Sequence, residues 1–412
     1  MIRGLLLATL LASAPLAGHA QEEGAVSLPG TRRALEEGTG PVRIVCFGDS
    51  VTGVYYHTGG RRAYADMLEI ALQRLYPDAE IEVVNAGISG HATPDALARI
   101  DTDVLSHRPH LVTVMFGLND MTRVPIDEYA ANLSAIASRC RDVGAEVLFC
   151  TPNAVFDTEG RPESVLEEYV AAIHRVGAEM HVPVADCFAA FKAVRIADRF
   201  AFALLMSDEI HPNMDGHKLF AELLAQAIGG REVSLGDVGY PEPAMPKTRA
   251  LLHSGEPVRI YAMPPYDTLV PDAIRACVSN AQLEVTVWLV EGKSLSEIEA
   301  DAKAVRGMGV DLVVVAVPPG ASADSPEQFV RSYSWIMNYA LSFGHQEWDV
   351  IALPPSLATS ELTGEAAEHD RLAQGLIHSQ DLGTVVRAAA DQRPAGELLA
   401  EWLRTQIADT AR

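Results

Sequence analysis

Short runs of Val, Ile and Leu that alternate with longer segments of helical spacing constrain this chain more than any other feature. Val42 to Phe47, Ile81 to Asn85, Leu111 to Phe116, Val147 to Cys150 and Val182 to Val184 are apolar runs of strand length. Continuous apolar runs suit strands buried on both faces. Between them Ala63 to Leu75, Asp127 to Val143 and Ser164 to Met180 carry apolar residues at helical spacing. That alternation predicts βαβ units and an α/β fold, a parallel sheet covered by helices on both sides. In such sheets the working residues lie on loops beyond the carboxyl ends of the strands.

At 412 residues the chain exceeds one ordinary core, so two domains are expected. Residues 1–20 read as a signal peptide: Arg3 gives the positive start, Leu5 to Leu16 the apolar stretch, and Gly18-His19-Ala20 a small-residue cleavage site. The expected location is therefore outside the cytoplasm, periplasmic or secreted. A membrane anchor is the other reading, but the run is short of the ~20 residues that span a bilayer. No later stretch is long and apolar enough, so the mature chain is expected to have no membrane span. The formal charge of −23 argues against nucleic acid or an anionic membrane surface as partner. Five cysteines at irregular spacing make no disulfide framework, and Cys46, Cys150 and Cys187 read as small buried hydrophobes. His107 and His110 flank a proline with no carboxylate or cysteine cluster at ligand spacing, so no metal is expected, and no cofactor.

Four polar blocks follow the predicted strands. Gly48-Asp49-Ser50 comes directly after the first, where a tight turn can present a serine hydroxyl at the sheet edge. Asn85 to Gly90 follows the second strand, and Gly117-Leu118-Asn119-Asp120 the third. Glycine lets a backbone N–H come close to a ligand, and an Asn amide can aim another donor at a developing oxyanion. Late in this half stands Asp208-Glu209-Ile210-His211, in which one turn can set the carboxylate against the imidazole and fix its tautomer. A pair of carboxylates, Asp49 or Asp120 with Asp208, is the rival reading, as in glycoside hydrolysis. It leaves Ser50, Asn119 and His211 without a role.

In that order, GDS, a glycine block, GxND and DxxH, the four blocks resemble those of the SGNH (GDSL-type) hydrolases over about residues 40–230. The resemblance implies a three-layer, doubly wound, flavodoxin-like sheet in the order 2-1-3-4-5. It also implies an esterase with Ser50 as nucleophile, His211 as base and Asp208 as its orienter. The Ser50 and Gly90 N–H groups and the Asn119 side chain would form the oxyanion hole. The same triad would serve an acyltransferase, and a non-catalytic carbohydrate-binding or scaffold protein is the third class considered.

The expected substrate is a small-molecule or carbohydrate ester, with short acyl groups such as acetyl preferred because no apolar segment suggests a lipid groove or lid. Tyr55 to Arg62, polar and glycine-rich, reads either as a loop reaching the site mouth or as a solvated tip. His91 either faces substrate or lies on the surface.

The C-terminal half looks like a second copy of the first. Pro29, Thr31, Arg32, Ala34 and Leu35 followed by Pro41 to Ile44 recur as Pro246, Thr248, Arg249, Ala250 and Leu251 followed by Pro257 to Ile260. Residues 21–240 are then a catalytic SGNH domain and 246–412 a degenerate SGNH-like domain, expected to hold a five-stranded parallel sheet. In this alignment Ser50 falls on Tyr266 and Asn119 on Gly320, so the second copy lacks the chemistry, while Gly292 still answers Gly90.

Overall fold

The computed structural model describes residues 27–359 and 361–408. The segment read as a signal peptide lies outside them. Each apolar run becomes a strand: β1 Val42–Gly48, β2 Ile81–Gly87, β3 Leu111–Met115, β4 Glu146–Cys150 and β5 Val184–Ala185. They form one parallel sheet in the order β2-β1-β3-β4-β5. The central runs are the most apolar because helices close both faces there, whereas β2 at the edge is mostly half-buried. Every residue of β3 is buried, as are six of the seven in β1. The expected helices form as Tyr64–Leu75, Ile126–Asp142 and Glu163–Met180. Cys46, Cys140, Cys150 and Cys187 are buried free thiols, and Cys277 is half-buried.

The second half builds β6 Val258–Ala262, β7 Leu283–Val287, β8 Leu312–Val315 and β9 Asp349–Ala352, a parallel sheet in the order β7-β6-β8-β9. The expected fifth strand does not form. Its position holds a single parallel bridge between Ile351 and Gly383. The chain between β9 and the last helix, Ala395–Ile407, is shorter than its counterpart in the first half, and Gly383 crosses the sheet edge wedged against Ala244, Ile351 and Trp402. The buried apolar residues fall into two clusters, Leu28 to Leu235 and Ala244 to Ile407.

The two sheets share register and fastenings. Val42 pairs with Ile81 as Val258 pairs with Leu283, Ile44 with Leu111 as Ile260 with Leu312, and Leu111 with Glu146 as Leu312 with Asp349. A helix precedes each first strand, Pro29–Glu37 and Pro246–Ser254. Each is clamped at its start by a carboxylate opening the fourth strand. Glu146 accepts from the Thr31 N–H at 2.7 Å, and Asp349 from the Thr248 N–H at 2.6 Å. The Arg43 N–H donates to His110 and the Arg259 N–H to Asp311, again at matching places. Gly90 and Gly292 take the same left-handed backbone, with φ of 77° and 75°.

Ser50 lies where the sheet order reverses, since the chain leaves β1 for β2 on one side and reaches β3 on the other. Gly48 makes the turn possible there. A methyl group at Gly48 would sit 2.0 Å from the Thr52 hydroxyl and 2.8 Å from the Met115 carbonyl. Gly48→Ala is therefore expected to lower stability by about 1–3 kcal/mol, as overpacking does. Gly40→Ala, where nothing lies within 4 Å, should leave the thermal midpoint unchanged. Equal midpoints for the two variants would contradict the close-packed turn.

Candidate active site

Three of the sequence-predicted residues meet in one hydrogen-bonded line. Ser50 Oγ lies 2.8 Å from His211 Nε2, and His211 Nδ1 lies 2.8 Å from Asp208 Oδ2 and 3.1 Å from Oδ1. All three are buried. An ionised carboxylate only accepts, so the Nδ1 proton faces Asp208 and Nε2 is left to accept from the serine hydroxyl.

The loop carrying the pair is closed on itself. Asp208 Oδ1 accepts from the Ile210 and His211 N–H groups at 2.8 and 2.7 Å, and the Ser207 N–H donates to the His211 carbonyl. Asn213 then caps helix Met214–Gly229 through the Gly216 N–H, which fixes the exit. From the loop after β4, buried Asn153 donates to the Ile210 carbonyl at 2.9 Å. The spacing of three residues sets the carboxylate against the imidazole, and backbone donors hold it as well.

Burial opposes charge on both partners, and their contact reverses it. For His211, the Asp208 carboxylate and then Asp49 outweigh desolvation and raise its pKa above the usual histidine value. For Asp208, His211 and the two backbone N–H groups outweigh desolvation and hold its pKa below the usual carboxylate value. Asp49 is pushed up to about 6 by burial, against the hydrogen bond from the Val51 N–H and the charge of His211.

The remaining predicted donors lie on the turns that follow β1, β2 and β3. The Asn119 amide donates to the His91 carbonyl at 2.9 Å and reaches Asp49 only at 3.5 Å, so one of its protons is lightly held. Among the described residues neither the Ser50 nor the Gly90 N–H has a hydrogen-bond acceptor within the chain. The Gly90 turn is tied down by Arg123, which donates to its carbonyl and pairs with Asp95 at 2.9 Å. Asp49 and Asp120 act as turn fasteners: Asp49 accepts from the Val51 N–H, and Asp120 Oδ1 accepts from the Thr93 N–H and hydroxyl. A serine on an imidazole base, beside free donors, is equipped for acyl transfer.

Other contributors were invisible in the sequence. Arg99 lies over the Phe47 ring and donates to the carbonyls of Gly48 and Ala86, pinning the ends of β1 and β2. Arg161, from the loop after β4, acts electrostatically on both Asp49 and His211. The Tyr55 to Arg62 loop is not a solvated tip: His57, Thr58, Gly59 and Gly60 are all buried, because the C-terminal half lies over them. Arg61 donates to the carbonyls of Pro241, Pro243 and Ala244, and Ser342 donates to the Gly59 carbonyl. The same half reaches the loop of the histidine. Asn338 donates to the Ser207 hydroxyl at 2.9 Å and Trp335 to the Glu209 carboxylate at 3.1 Å. No sequence motif signals these contacts, since both partners are ordinary polar residues far apart in the chain.

No helix of the described residues is long and apolar enough to cross a membrane. Residues 46–219 match the GDSL-like lipase/acylhydrolase family. An acetylxylan esterase of Geobacillus stearothermophilus is 30% identical over 170 residues, covering 38% of this chain and 77% of that protein. An arylesterase of Vibrio mimicus is 25% identical over 199 residues, covering 45% of this chain and 88% of that one. A solved acetylxylan esterase from G. stearothermophilus superposes with a TM-score of 0.42 at 27% identity, over 47% of this chain and 96% of that one. The chain belongs to the SGNH (GDSL-type) hydrolase family, and it is a carboxylic ester hydrolase.

Proposed function

We propose that the protein is an exported serine esterase that removes short acyl groups, acetyl above all, from carbohydrate. The observation that carries the mechanism is the buried line from Ser50 through His211 to Asp208. Ser50 Oγ attacks the acyl carbonyl carbon as its proton passes to His211 Nε2, giving a tetrahedral oxyanion that the Ser50 and Gly90 N–H groups and Asn119 receive. His211 returns the proton to the departing alcohol oxygen, leaving an acyl ester on Ser50. Water, deprotonated by the same imidazole, then releases the acid and restores the serine. Asp208 holds the ring and balances its charge throughout. The acetylxylan esterase relative supports the choice of acetyl and of a sugar alcohol. The amino-terminal segment, read from sequence as a signal peptide, supports export.

Residues 21–240 are read as the catalytic domain, and 246–412 as a duplicate that has lost the chemistry. Shared sheet order, register and the matched carboxylate clamps support a common origin. The counterpart of Ser50 is Tyr266, buried at the start of helix Tyr266–Cys277, and that of Asn119 is Gly320.

Ser50→Ala should abolish esterase activity and labelling by a fluorophosphonate, with no label moving to residues 246–412. Asn119→Ala should cost about 10²–10³ in kcat with a smaller change in KM, as for loss of one oxyanion donor. Near-wild-type kcat in either folded variant would refute these roles. Products formed with and without a sugar acceptor separate hydrolysis from acyl transfer.

The pH profile follows from the same geometry. His211 must be neutral to accept the serine proton, and its pKa is raised above 6.5, so kcat/KM should rise with pH through a midpoint above 6.5. Asp49, titrating at about 6, is largely ionised across that limb and favours the imidazolium. Asp49→Asn should therefore move the midpoint to lower pH. A midpoint that stays put or rises in that variant would remove Asp49 from the account.

A further inference from the structure

His57 is fully buried, and neither ring nitrogen makes a well-formed hydrogen bond among the described residues, the Ser50 carbonyl being the backbone acceptor that faces the ring. Such a group is a poor choice for filling space, because a buried polar atom left unpaired costs about 1–3 kcal/mol. Its ring lies flat on His211, with centroids 4.4 Å apart and planes inclined by 15°. His217 continues the stack on the His57 side at 5.9 Å and 16°, and Tyr56 sets its ring edge-on against both His57 and His211. One face of the imidazole that must take and return a proton is therefore covered by a second imidazole.

The cover is fastened from the other half of the chain. Gln380, itself buried, donates to the His57 carbonyl at 2.7 Å. Two and three residues on, Ser342 and Gln346 hold the carbonyls of Gly59 and Gly60 at 3.0 and 3.2 Å. Gly344 packs so closely on Gly60 that a Cβ there would lie 2.6 Å from its backbone.

We propose that His57 is a positioning residue for His211, a neutral ring that fixes the plane of the base and shields it from water, and that Gln380 of the second half holds it there. This rests on the reading of His211 as the general base. The groups facing His211 are Asp208 on Nδ1, Ser50 on Nε2, Asp49 and Arg161 through space, Tyr56 at its edge and His57 on its face. Those facing His57 are the rings of His211, His217, Tyr55 and Tyr56 and the Ser50 carbonyl. A cation next to the imidazolium of His211 would repel it. Burial, followed by the charges of His211 and His217, keeps the His57 pKa well below the usual histidine value, so the cover stays uncharged as the base cycles.

The test is a pair of substitutions read by steady-state kinetics against pH on a small acetate ester, with folding checked by thermal unfolding. His57→Ala admits water to the ring and frees its plane. It should lower kcat about 10–100-fold at little change in KM, the scale of a misplaced catalytic group. The midpoint of kcat/KM should also rise in that variant, because desolvation is the largest effect opposing charge on His211. His57→Phe, which covers the ring without titrating, should restore most of kcat and the wild-type midpoint. Gln380→Met, which removes the donor at similar bulk, should shift kcat and midpoint in the direction of His57→Ala and by less. An alanine variant with wild-type kcat and midpoint would overturn the proposal. So would a folded phenylalanine variant as slow as the alanine one, which would make a ring nitrogen the working group. Either result leaves the reading of Ser50 and His211 standing if Ser50→Ala is inactive, whereas an active Ser50→Ala protein removes that reading itself.

Discussion

A carboxylate and an imidazole three residues apart, both taken out of water, set the terms for the rest of this molecule. Removing either charge from solvent is costly, and the pair survives burial only because each satisfies the other and backbone N–H groups satisfy what remains. Such a pair needs a loop that cannot open. Asn213 caps the helix that follows, Asn153 holds the loop from β4, and the Ser207 to His211 bond closes it. The serine opposite needs an equally tight turn, and Gly48 supplies it where the order of the first sheet reverses.

The second half enters the same economy of fixed loops. It contributes none of the three residues of the line, yet Asn338 and Trp335 reach the loop of Asp208 and His211, and Gln380 reaches His57. Buried Lys218 bonds Asp381 across the same junction at 2.8 Å, with Asp215 at 3.1 Å. Under the proposed duplication, a copy freed from chemistry keeps its sheet, since register and the clamps of Glu146 and Asp349 come from strand packing. Its loops could then be shortened and turned to bracing. On that proposal the second sheet needs neither a fifth strand nor a serine turn.

Much of this was legible in the sequence, and the rest was not, for physical reasons. Strands buried on both faces announce themselves, so β1 to β4 and their helices lie within a residue or two of expectation. Ser50, Asn119, Asp208 and His211 each sit in a block whose neighbours carry the turn chemistry that presents them. The sequence predicts a fifth strand in the second half, but that edge holds the single Ile351–Gly383 bridge, and no local pattern marks the close packing of Gly383 on Ala244 that stands there instead. The Tyr55 to Arg62 loop was ambiguous because polar glycine-rich sequence reads as solvated unless its cover is known. That cover comes from Gln380, Ser342 and Gln346, far along the chain. His57, Arg161 and Arg99 likewise come near the site from segments that no local pattern connects.

The central claim is that donors beyond β1, β2 and β3 converge on one oxyanion position at Ser50. The most direct measurement is a crystal structure of the protein after reaction with a fluorophosphonate, whose tetrahedral phosphorus on serine imitates the intermediate. The account predicts a bond from Ser50 Oγ to phosphorus and a phosphoryl oxygen within about 2.7–3.1 Å of the Ser50 N–H, the Gly90 N–H and the Asn119 amide. An adduct on another residue, or a phosphoryl oxygen turned away from all three donors, would contradict it.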